Sequence, residues 1–280
     1  MPSPATHETR SVLITGCSSG IGLDAARTLR ARGWQVVASA RDRAAVERLR
    51  AEGLDAVVLD VADSTSLKAG LAAALERTGG RLDALFNNAG YGQLGAIEDL
   101  AREVLREQFE TNFFGAIELG NAVVPIMRAQ GAGRIVQNSS VLGLVTGRFR
   151  GAYCATKYAL EAASDALRLE LAGSGVYVSL IEPGPTLTRF RPNAHKVFRR
   201  TIDCESSPHR RAYSALDARL QIEGPVRRGT VGPDRVTRAL IHALESPRPK
   251  PRYAVHWTTF GADLARRLLP TRWLDRLRTR

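Results

Sequence analysis

A glycine-rich turn near the start of the chain limits the fold more than any other feature of the sequence. The apolar stretch 11–15 is predicted to be a strand, the segment Gly16-Cys-Ser-Ser-Gly20-Ile-Gly22 follows it, and a helical pattern runs on through Leu29. Glycines in such a turn let the backbone approach a phosphate closely, and the helix N-terminus supplies free N–H groups and a positive dipole end. This order of strand, turn and helix predicts the opening of a dinucleotide-binding α/β fold.

Short apolar runs flanked by turn residues predict further strands, with helical patterns between them. The predicted strands after the first are 34–40, 56–61, 82–86, 134–140, 176–182 and 252–257. This alternation predicts a Rossmann-like, doubly wound, mostly parallel sheet of about seven strands, flanked by helices. With 280 residues and 44% apolar content, the chain is expected to form one domain over 1–280.

Cysteine and histidine usage argues against disulfides and against a metal centre. Cys17, Cys154 and Cys204 are far apart and lack a CxxC spacing, which fits a reducing cytoplasm. The five histidines show none of the close pairs typical of metal sites. The polar segment 1–10 is predicted to be neither a signal peptide nor an anchor, and no apolar run approaches the length of a membrane-spanning helix.

The positive charge is confined to the last third of the chain. Residues 186–280 hold 21 Lys+Arg and 8 Asp+Glu, a net charge of +13, whereas residues 1–185 carry a net charge of −1. A balanced domain with a cationic appendage is therefore expected, and no nucleic-acid partner.

Tyr153 and Lys157 stand four residues apart on a helix predicted to continue through Leu171. Residues at this spacing share one helix face. A nearby ammonium lowers the pKa of a phenol, so this tyrosine is expected to exchange a proton with a carbonyl or alcohol oxygen. A surface pair without chemistry is the alternative.

The end of the second predicted strand bears on the cofactor. Ala40 and Arg41 stand where a doubly wound sheet meets the adenosine ribose, with Arg43 close behind. An acidic residue there would accept from the ribose 2′-OH, whereas a guanidinium pairs with a phosphate. The sequence therefore predicts NADP(H) over NAD(H), and a solvated loop charge is the alternative for Arg41.

Several motifs, in matching order and spacing, resemble the short-chain dehydrogenase/reductase family. They are TGCSSGIG at 15–22, NNAG at 87–90, TNFFG at 111–115, a serine thirteen residues before Tyr153, and the PGPTLT segment at 183–188. The chain is similar to the retinol and 17β-hydroxysteroid dehydrogenase branch, and more closely to bacterial NADP-dependent aldehyde reductases. The resemblance covers most of the chain outside 189–230.

The resemblance implies roles for individual residues. Ser140 is expected to bind the substrate oxygen, with Ser139 as the fallback, and Asn112 to hold a water in a proton relay to Lys157, with a core amide that stabilises a kink as the alternative. Asp60 is expected to meet the adenine, with capping of the following helix as the alternative. The implied cofactor-binding set is Gly16, Ser18, Ser19, Gly20, Ile21, Gly22, Arg41, Asp60, Val61, Asn88, Ala89, Gly90, Tyr153, Lys157, Pro183, Gly184, Thr186 and Thr188.

Two segments follow the predicted cofactor-binding and catalytic core (1–188). Residues 189–230 are polar, basic and contain proline, and are predicted to form a mobile substrate lid with one or two short helices; partial disorder without function is the alternative. Residues 231–280 are predicted to form a helix, a strand and one basic amphipathic helix over 259–280. This last helix is typical of a membrane-interface segment, and docking on the protein's own core or on a second subunit stays open.

The expected reaction is hydride transfer between NADP(H) and a carbonyl or alcohol. Mainly apolar pocket walls favour reduction of lipophilic aldehydes or ketones; they are predicted at Tyr91, Gln93, Leu94, Leu142, Leu144, Val145 and Phe149. The alternatives are a retinol or hydroxysteroid dehydrogenase working in the oxidative direction and a non-catalytic NADP(H) sensor. The resemblance implies a homodimer or homotetramer, and a cytoplasmic protein is expected, with peripheral contact to the inner face of the membrane left open.

Overall fold

A single parallel sheet forms the centre of the protein. The structure, a computed structural model, describes residues 9–225 and 229–279, without the side chains of 277–279. The strands are β1 (Ser11–Ile14), β2 (Gln35–Ala40), β3 (Asp55–Val58), β4 (Ala84–Asn87), β5 (Gly133–Asn138), β6 (Val176–Glu182) and β7 (Arg252–Ala254). They are ordered β3-β2-β1-β4-β5-β6-β7, and every neighbouring pair is parallel. The predicted fold class is confirmed, and the sheet is wholly rather than mostly parallel.

Helices cover both faces of this sheet. Those in the described residues are α1 (Gly20–Ala31), α2 (Arg43–Ala51), α3 (Ser64–Arg77), α4 (Arg102–Phe109), α5 (Gly115–Gln130), α6 (Gly151–Glu170), α7 (Phe190–Thr201), α8 (Arg210–Gln221), α9 (Pro233–Glu245), α10 (Trp257–Leu268) and α11 (Thr271–Thr279). Residues 1–8 and 226–228 lie outside the described residues, and with them most of the predicted polar N-terminus and part of the predicted lid.

The strands form because their side chains are apolar on both sides. Val12, Leu13 and Ile14 of β1 are all fully buried, as expected where helices cover both faces of a parallel sheet. On one face β1 packs with Leu29 of α1 and with α9, and on the other it packs with α3, α5 and α6. The strand order reverses between β1 and β4, and ligands bind at such a switch point, outside the carboxyl ends of the strands.

The segment 189–225 contains the two helices α7 and α8, within the one or two helices predicted for it. Phe198 of α7 and Tyr213 of α8 are fully buried in a cluster that includes Leu94 and Leu100. The Tyr213 hydroxyl donates to Asp99 and accepts from the backbone N–H of Ala96 at 2.7 Å. These contacts fasten both helices to the loop that follows β4.

The C-terminal segment differs from its prediction. Instead of one helix over 259–280, α10 ends at Leu268 and α11 begins at Thr271. Pro270 explains the break, because it lacks an N–H and disfavours the helical conformation at Leu269, which is extended. The predicted strand 252–257 is also shorter, since Trp257 already starts α10.

Arg252 on the edge strand β7 joins three elements. Its guanidinium contacts Glu161 at 3.0 Å and Asp165 at 2.7 Å on α6, and Glu182 at the end of β6 at 3.2 Å. Burial, together with the negative charge of Glu161, raises the pKa of Glu182 to about 7, although Arg252 opposes the shift. The single positive charge of Arg252 therefore cannot neutralise both buried carboxylates, Glu161 and Glu182.

This raised pKa predicts a pH-dependent effect of Glu182→Gln on stability. The folded protein holds the Glu182 proton more tightly than the unfolded chain, so the stability from this group is greatest below pH 4.5 and is lost as the pH rises through about 7. Relative to wild type, the variant should gain roughly 2–3 kcal/mol of unfolding free energy between pH 4.5 and pH 8. Urea unfolding across this range measures it, with the exposed Glu76→Gln as control. A difference between variant and wild type that does not change with pH would contradict the raised pKa.

Candidate active site

The glycine-rich turn fits a phosphate group held against backbone. Gly16 has φ +72°, and a Cβ atom there would lie 2.9 Å from Ala89 Cα; a Cβ on Gly22 would lie 2.4 Å from the Gly16 carbonyl oxygen. Ser19, the N-cap of α1, makes no side-chain hydrogen bond to the helix, and Ser18 is exposed. Free N–H groups at the start of α1 therefore point at the space where the resemblance puts the cofactor pyrophosphate.

Side-chain amides tie this turn to the neighbouring strand ends. Asn88 Nδ2 donates to the Thr15 carbonyl at 2.8 Å, and Asn88 Oδ1 accepts from Asn138 Nδ2 at 2.9 Å. The Thr15 hydroxyl accepts from the backbone N–H groups of Asn88 and Ala89, both at 2.9 Å. The preceding Asn87 bonds the Ala116 carbonyl at 2.9 Å. The NNAG segment thus holds together the carboxyl ends of β1, β4 and β5.

The residues predicted to meet the adenosine lie beyond the ends of β2 and β3. Arg41 directly follows β2 and is exposed, and no carboxylate pairs with it among the described residues. Asp60 Oδ1 accepts from the Ala62 N–H at 3.0 Å. The alternative role for Asp60 as a helix cap is wrong, because Asp63 caps α3 by accepting from Thr65 and Ser66. The buried Val61 packs against Gly115, where no side chain would fit.

Tyr153, Lys157 and Ser140 meet at the carboxyl end of β5. Tyr153 and Lys157 are buried on α6, with the ammonium 5.8 Å from the centroid of the phenol ring. Lys157 Nζ donates to the Asn138 carbonyl at 2.7 Å. Ser140 begins the short turn 141–143, where its Oγ accepts from the Leu142 N–H at 3.1 Å, and it lies near enough to the phenol of Tyr153 to lower the pKa of that group. Ser139, the fallback, lies instead beside Glu161.

Burial dominates the titration of both groups on α6. It raises the pKa of Tyr153 to about 12, and the nearby Ser140 hydroxyl offsets only part of this. Burial also lowers the pKa of Lys157 to about 8, while the charge of Glu161 acts in the opposite direction. The expectation that the ammonium lowers the pKa of this tyrosine is therefore wrong for this structure, in which the phenol keeps its proton at neutral pH.

Asn112 lies in a π-helical turn, Glu110–Phe114, between α4 and α5. Its Nδ2 donates to the Tyr91 carbonyl at 2.9 Å, and its Oδ1 accepts from the Tyr91 N–H at 3.0 Å. A weaker bond joins Nδ2 to the Thr156 hydroxyl at 3.3 Å. The buried amide thus fastens the turn to the loop after β4 and reaches α6 beside the tyrosine, but it makes no direct hydrogen bond to Lys157.

The Pro183–Thr188 segment closes the site from the side of β6. The Pro183 carbonyl accepts from the Val141 N–H at 2.9 Å, and the Thr186 hydroxyl donates to the Gly184 carbonyl at 3.1 Å. A Cβ on Gly20 would lie 3.1 Å from Thr188 Cβ, so this segment sits over the glycine-rich turn. The residues predicted to bind the cofactor therefore line one continuous edge of the sheet.

Comparison with known proteins identifies the family. Residues 10–197 match the family model described as short chain dehydrogenase. The chain belongs to the short-chain dehydrogenase/reductase family. It is 41% identical over 268 residues to an oxidoreductase of Escherichia coli K12 named YbbO, covering 96% of this chain and 93% of that protein. Human 17-beta-hydroxysteroid dehydrogenase type 1 is 37% identical over 256 residues, with 86% of this chain and 76% of that protein covered. Human retinol dehydrogenase 8 is 41% identical, with 65% of this chain and 60% of that protein covered.

Solved structures of the family have the same fold. A short-chain dehydrogenase/reductase from Burkholderia phymatum in complex with NAD is 28% identical, has a TM-score of 0.80, and is matched over 93% of each chain. An actinorhodin polyketide ketoreductase variant with NADPH is 30% identical, has a TM-score of 0.71, and is matched over 89% of this chain and 96% of that one. The predicted family and its branch are thus confirmed, and these neighbours include complexes with both nicotinamide cofactors.

The first turn of α7 covers the tyrosine of this short-chain dehydrogenase. The Phe190 ring packs edge-on against Tyr153 with ring centroids 5.4 Å apart, and a Cβ on Gly92 would lie 2.7 Å from Phe190 Cζ. Of the predicted pocket walls, Leu94 and Phe149 instead pack with α7 and α8, whereas Tyr91 is partly exposed near Asn112. Sequence reasoning did not single out Phe190 as the residue over the phenol.

Sequence reasoning also missed the polar groups behind the site. Glu161 has the same four-residue spacing from Lys157 that Lys157 has from Tyr153, so helix periodicity could have indicated it. Arg252 and the buried His256, whose ring packs on Gly184 and contacts the Gly229 carbonyl at 2.6 Å, gave no local signal. Their partners lie far away in sequence and are recognisable only in the folded chain.

Proposed function

We propose that this short-chain dehydrogenase is an NADP(H)-dependent oxidoreductase that reduces lipophilic aldehydes or ketones. The observation that carries the proposal is the meeting of Tyr153, Ser140 and Lys157 at the sheet edge that holds the glycine-rich turn. The family acts on CH–OH and C=O groups, so the class of reaction follows from membership. The proposal adds the cofactor, the substrate class and the direction.

Tyr153, Ser140 and Lys157 have separate roles in proton transfer. Tyr153 donates its phenolic proton to the substrate oxygen, and the Ser140 hydroxyl holds that oxygen by a hydrogen bond. Lys157, anchored on Asn138, supplies a positive charge beside the phenol as the proton leaves. NADPH, when bound, supplies the hydride. The raised pKa of Tyr153 supports reduction, because the phenol is in its acid form at neutral pH.

Apolar surroundings support a lipophilic substrate. Phe190 lies on the tyrosine ring, and the 3-10 turn after Ser140 brings Leu142 and Leu144 to the same edge. We propose that segment 189–230 is the lid over this pocket, and that its first helical turn keeps water from the reacting oxygen. A dry pocket strengthens the hydrogen bonds that act on that oxygen.

A second candidate is oxidation of retinol or a hydroxysteroid. The relatives named retinol dehydrogenase 8 and 17-beta-hydroxysteroid dehydrogenase type 1 favour it, since they match this chain at 41% and 37% identity. Oxidation begins by removing a proton from the alcohol, which needs Tyr153 as phenolate. The two candidates therefore differ in pH dependence, because oxidation should rise with pH while reduction should fall in the alkaline range.

The tyrosine variant tests the reaction. Tyr153→Phe should leave NADPH binding unchanged and lower kcat for aldehyde reduction by at least about 100-fold, because only the transferable proton is removed. NADPH consumption is followed with aliphatic and aromatic aldehydes, retinal and steroid ketones, and the reverse reaction with the matching alcohols. Tyr177→Phe, a change at an exposed tyrosine of β6, is the control. Undiminished turnover by Tyr153→Phe would overturn the assignment of the proton donor.

The exposed arginine after β2 supports NADP(H) as the cofactor. Arg41 stands beyond Ala40 with no carboxylate partner in the part of the chain described, and Arg43 is exposed nearby. A free guanidinium at this place would bind the 2′-phosphate.

Reversing the charge at the end of β2 should change the preference between NADPH and NADH. Ala40→Asp combined with Arg41→Ala should reduce the ratio of kcat/KM for NADPH over NADH by about 10-fold to 100-fold, because one charged phosphate contact is lost and a repulsion is added. Arg48→Ala, at an exposed arginine of α2, is the matched control. A retained NADPH preference in the double variant would place recognition of the 2′-phosphate elsewhere.

We also propose that the C-terminal helices contact an anionic lipid surface. Trp257, Phe260 and Leu268 of α10 are 73%, 68% and 70% exposed, and they recur at helical spacing on one face. Exposed arginines flank this stripe, among them Arg266 and Arg272. No described helix is long and apolar enough to cross a bilayer. Apolar side chains beside cationic ones suit the interface of a negatively charged leaflet.

Vesicle binding tests this contact. The wild type should sediment with phosphatidylglycerol vesicles, and less so with phosphatidylcholine vesicles or at high salt, because part of the attraction is electrostatic. Trp257→Ala with Phe260→Ala should weaken binding by about 10-fold or more. Tyr177→Ala removes an exposed aromatic residue from the sheet and serves as the control. Equal binding by the double variant and the wild type would exclude the stripe as the lipid contact.

We propose further that the protein forms a homo-oligomer. Phe114 is 50% exposed and Leu169 is 68% exposed, and they lie in the helical regions 98–130 and 152–172. Large apolar side chains on these helices support a homodimer or homotetramer that buries them.

A further inference from the structure

A cluster of carboxylates lies behind the tyrosine and lysine, on the side away from the proposed substrate. Glu161 and Asp165 come from α6, Glu182 from the end of β6 and Asp263 from α10, and Arg252 of β7 lies among them. The cluster lies outside the set of groups that contact substrate or cofactor in the proposed reaction. Glu161 and Glu182 are both almost fully buried, at 6% and 3% exposure.

Glu161 is the carboxylate whose charge acts on Lys157. It follows the lysine by one helical turn, and residues at this spacing have Cβ atoms about 5–6 Å apart. Gly143 packs against both residues, since a Cβ there would lie 3.1 Å from Glu161 Cγ and 3.2 Å from the Lys157 carbonyl oxygen. A buried ammonium is costly without a counter-charge, and the Asn138 carbonyl that Lys157 contacts is neutral.

Arg252 determines whether Glu161 can supply that counter-charge. Burial raises the pKa of Glu161, and Ser139 and Arg252 both act against this shift. Both Arg252 Nε and Nη2 donate to one oxygen, Glu161 Oε2, at 3.2 and 3.0 Å. Without the arginine, Glu161 would face Asp165 and Glu182 with no cation between them, and protonation would relieve the repulsion.

We propose that Glu161 and Arg252 are positioning residues for Lys157: Arg252 holds Glu161 ionised and in place, and Glu161 keeps the lysine charged and seated on Asn138. This positioning role of Glu161 and Arg252 rests on the proposed function, in which the charge of Lys157 assists proton transfer from Tyr153. Through the contact of Arg252 with Glu182, the same guanidinium also fixes the end of β6 that leads into Pro183 and Gly184. Through Arg252, the edge strand β7 thereby helps to position both α6 and the end of β6.

Several charged groups near Lys157 affect the pH at which it loses its proton. Tyr153 and Glu161 lie on its own helix, and Glu182, Arg252, Asp165 and Asp263 lie behind Glu161 on β6, β7, α6 and α10. Glu182 has a pKa of about 7, and Lys157 one of about 8, so Glu182 is largely ionised by the time Lys157 loses its proton. Glu161→Gln is therefore the variant that isolates the nearest charge.

Direct titration of Lys157 tests the proposal without depending on activity. In full-length protein labelled with ¹³C-lysine, the Lys157 signal is assigned by its loss in Lys157→Arg, and its pH midpoint is measured. Glu161→Gln should lower this midpoint by about one pH unit or more, because one nearby negative charge is removed. Glu170→Gln removes the same charge from the exposed end of α6 and should leave the midpoint in place. Glu161→Asp keeps the negative charge, so the Lys157 midpoint in this variant should stay close to that of the wild type.

A double-mutant comparison tests the part assigned to Arg252. Arg252→Lys should lower the Lys157 midpoint in the wild-type background and add nothing in the Glu161→Gln background, because the arginine acts through Glu161. An unchanged midpoint in Glu161→Gln, or equal effects of Arg252→Lys in both backgrounds, would overturn the proposal. If Arg252→Lys does not fold, the Glu161 series decides alone.

Activity gives a separate readout. In carbonyl reduction, the alkaline limb of kcat/KM should move to lower pH in Glu161→Gln by the same amount as the Lys157 midpoint. An enzyme that reduces no carbonyl would refute the proposed function, while the titration would still decide the role of Glu161. Titration shifts as expected with an unmoved alkaline limb would contradict the link between the lysine charge and the reaction.

Discussion

A continuous run of hydrogen bonds connects the glycine-rich turn to Lys157, and the geometry of the site depends on it. The Thr15 carbonyl accepts from Asn88, Asn88 accepts from the side chain of Asn138, and the Asn138 carbonyl accepts from the lysine, all within 2.7–2.9 Å. The run crosses the ends of β1, β4 and β5, which adjoin only because the sheet is parallel and reverses its order at β1. The glycine-rich turn and α6 are thereby held as one polar unit above an apolar core.

Burial shifts the pKa values of the two titratable groups in this polar unit. The phenol of Tyr153 and the ammonium of Lys157 are both shifted toward their neutral forms, so neither would carry charge readily without help. The Phe190 ring packs on the phenol of Tyr153, and Arg252 forms an ion pair with Glu161, which follows Lys157 by one helical turn. The two titratable groups of α6 thus have an apolar ring beside the phenol and an ionic cluster one helical turn beyond the lysine.

Much of the fold could be predicted because it rests on local patterns. Apolar runs located all seven strands, and β6 agrees with its prediction at both ends. β3 is shorter than predicted because Leu59 and Val61, although buried, continue past the sheet toward α3 and α5. Pro270 was visible in the sequence, yet the tail was predicted as one helix because its apolar and cationic residues continue across the proline.

Long-range features of the site could not be predicted in this way. The spacing of Tyr153, Lys157 and Ser140 is local and, with the family resemblance, leads to their meeting at one sheet edge. The direction of the Tyr153 pKa shift requires knowledge of how deeply α6 is buried, which no residue spacing encodes. Likewise, the capping role of Asp63 rather than Asp60 depends on where β3 leaves the sheet.

The position of Arg252 also has a consequence for the order in which the protein matures during synthesis. Glu161 and Glu182 leave the ribosome long before their arginine, which follows Glu182 by 70 residues. Until β7 docks, these carboxylates lack the guanidinium that contacts both of them, and closing so long a loop carries an entropic cost. The N-terminal strands can pair early, since domains tend to form from the first residues made. The nascent chain would therefore acquire its nucleotide cradle first, and the ionic support behind its lysine only as one of the last events of folding.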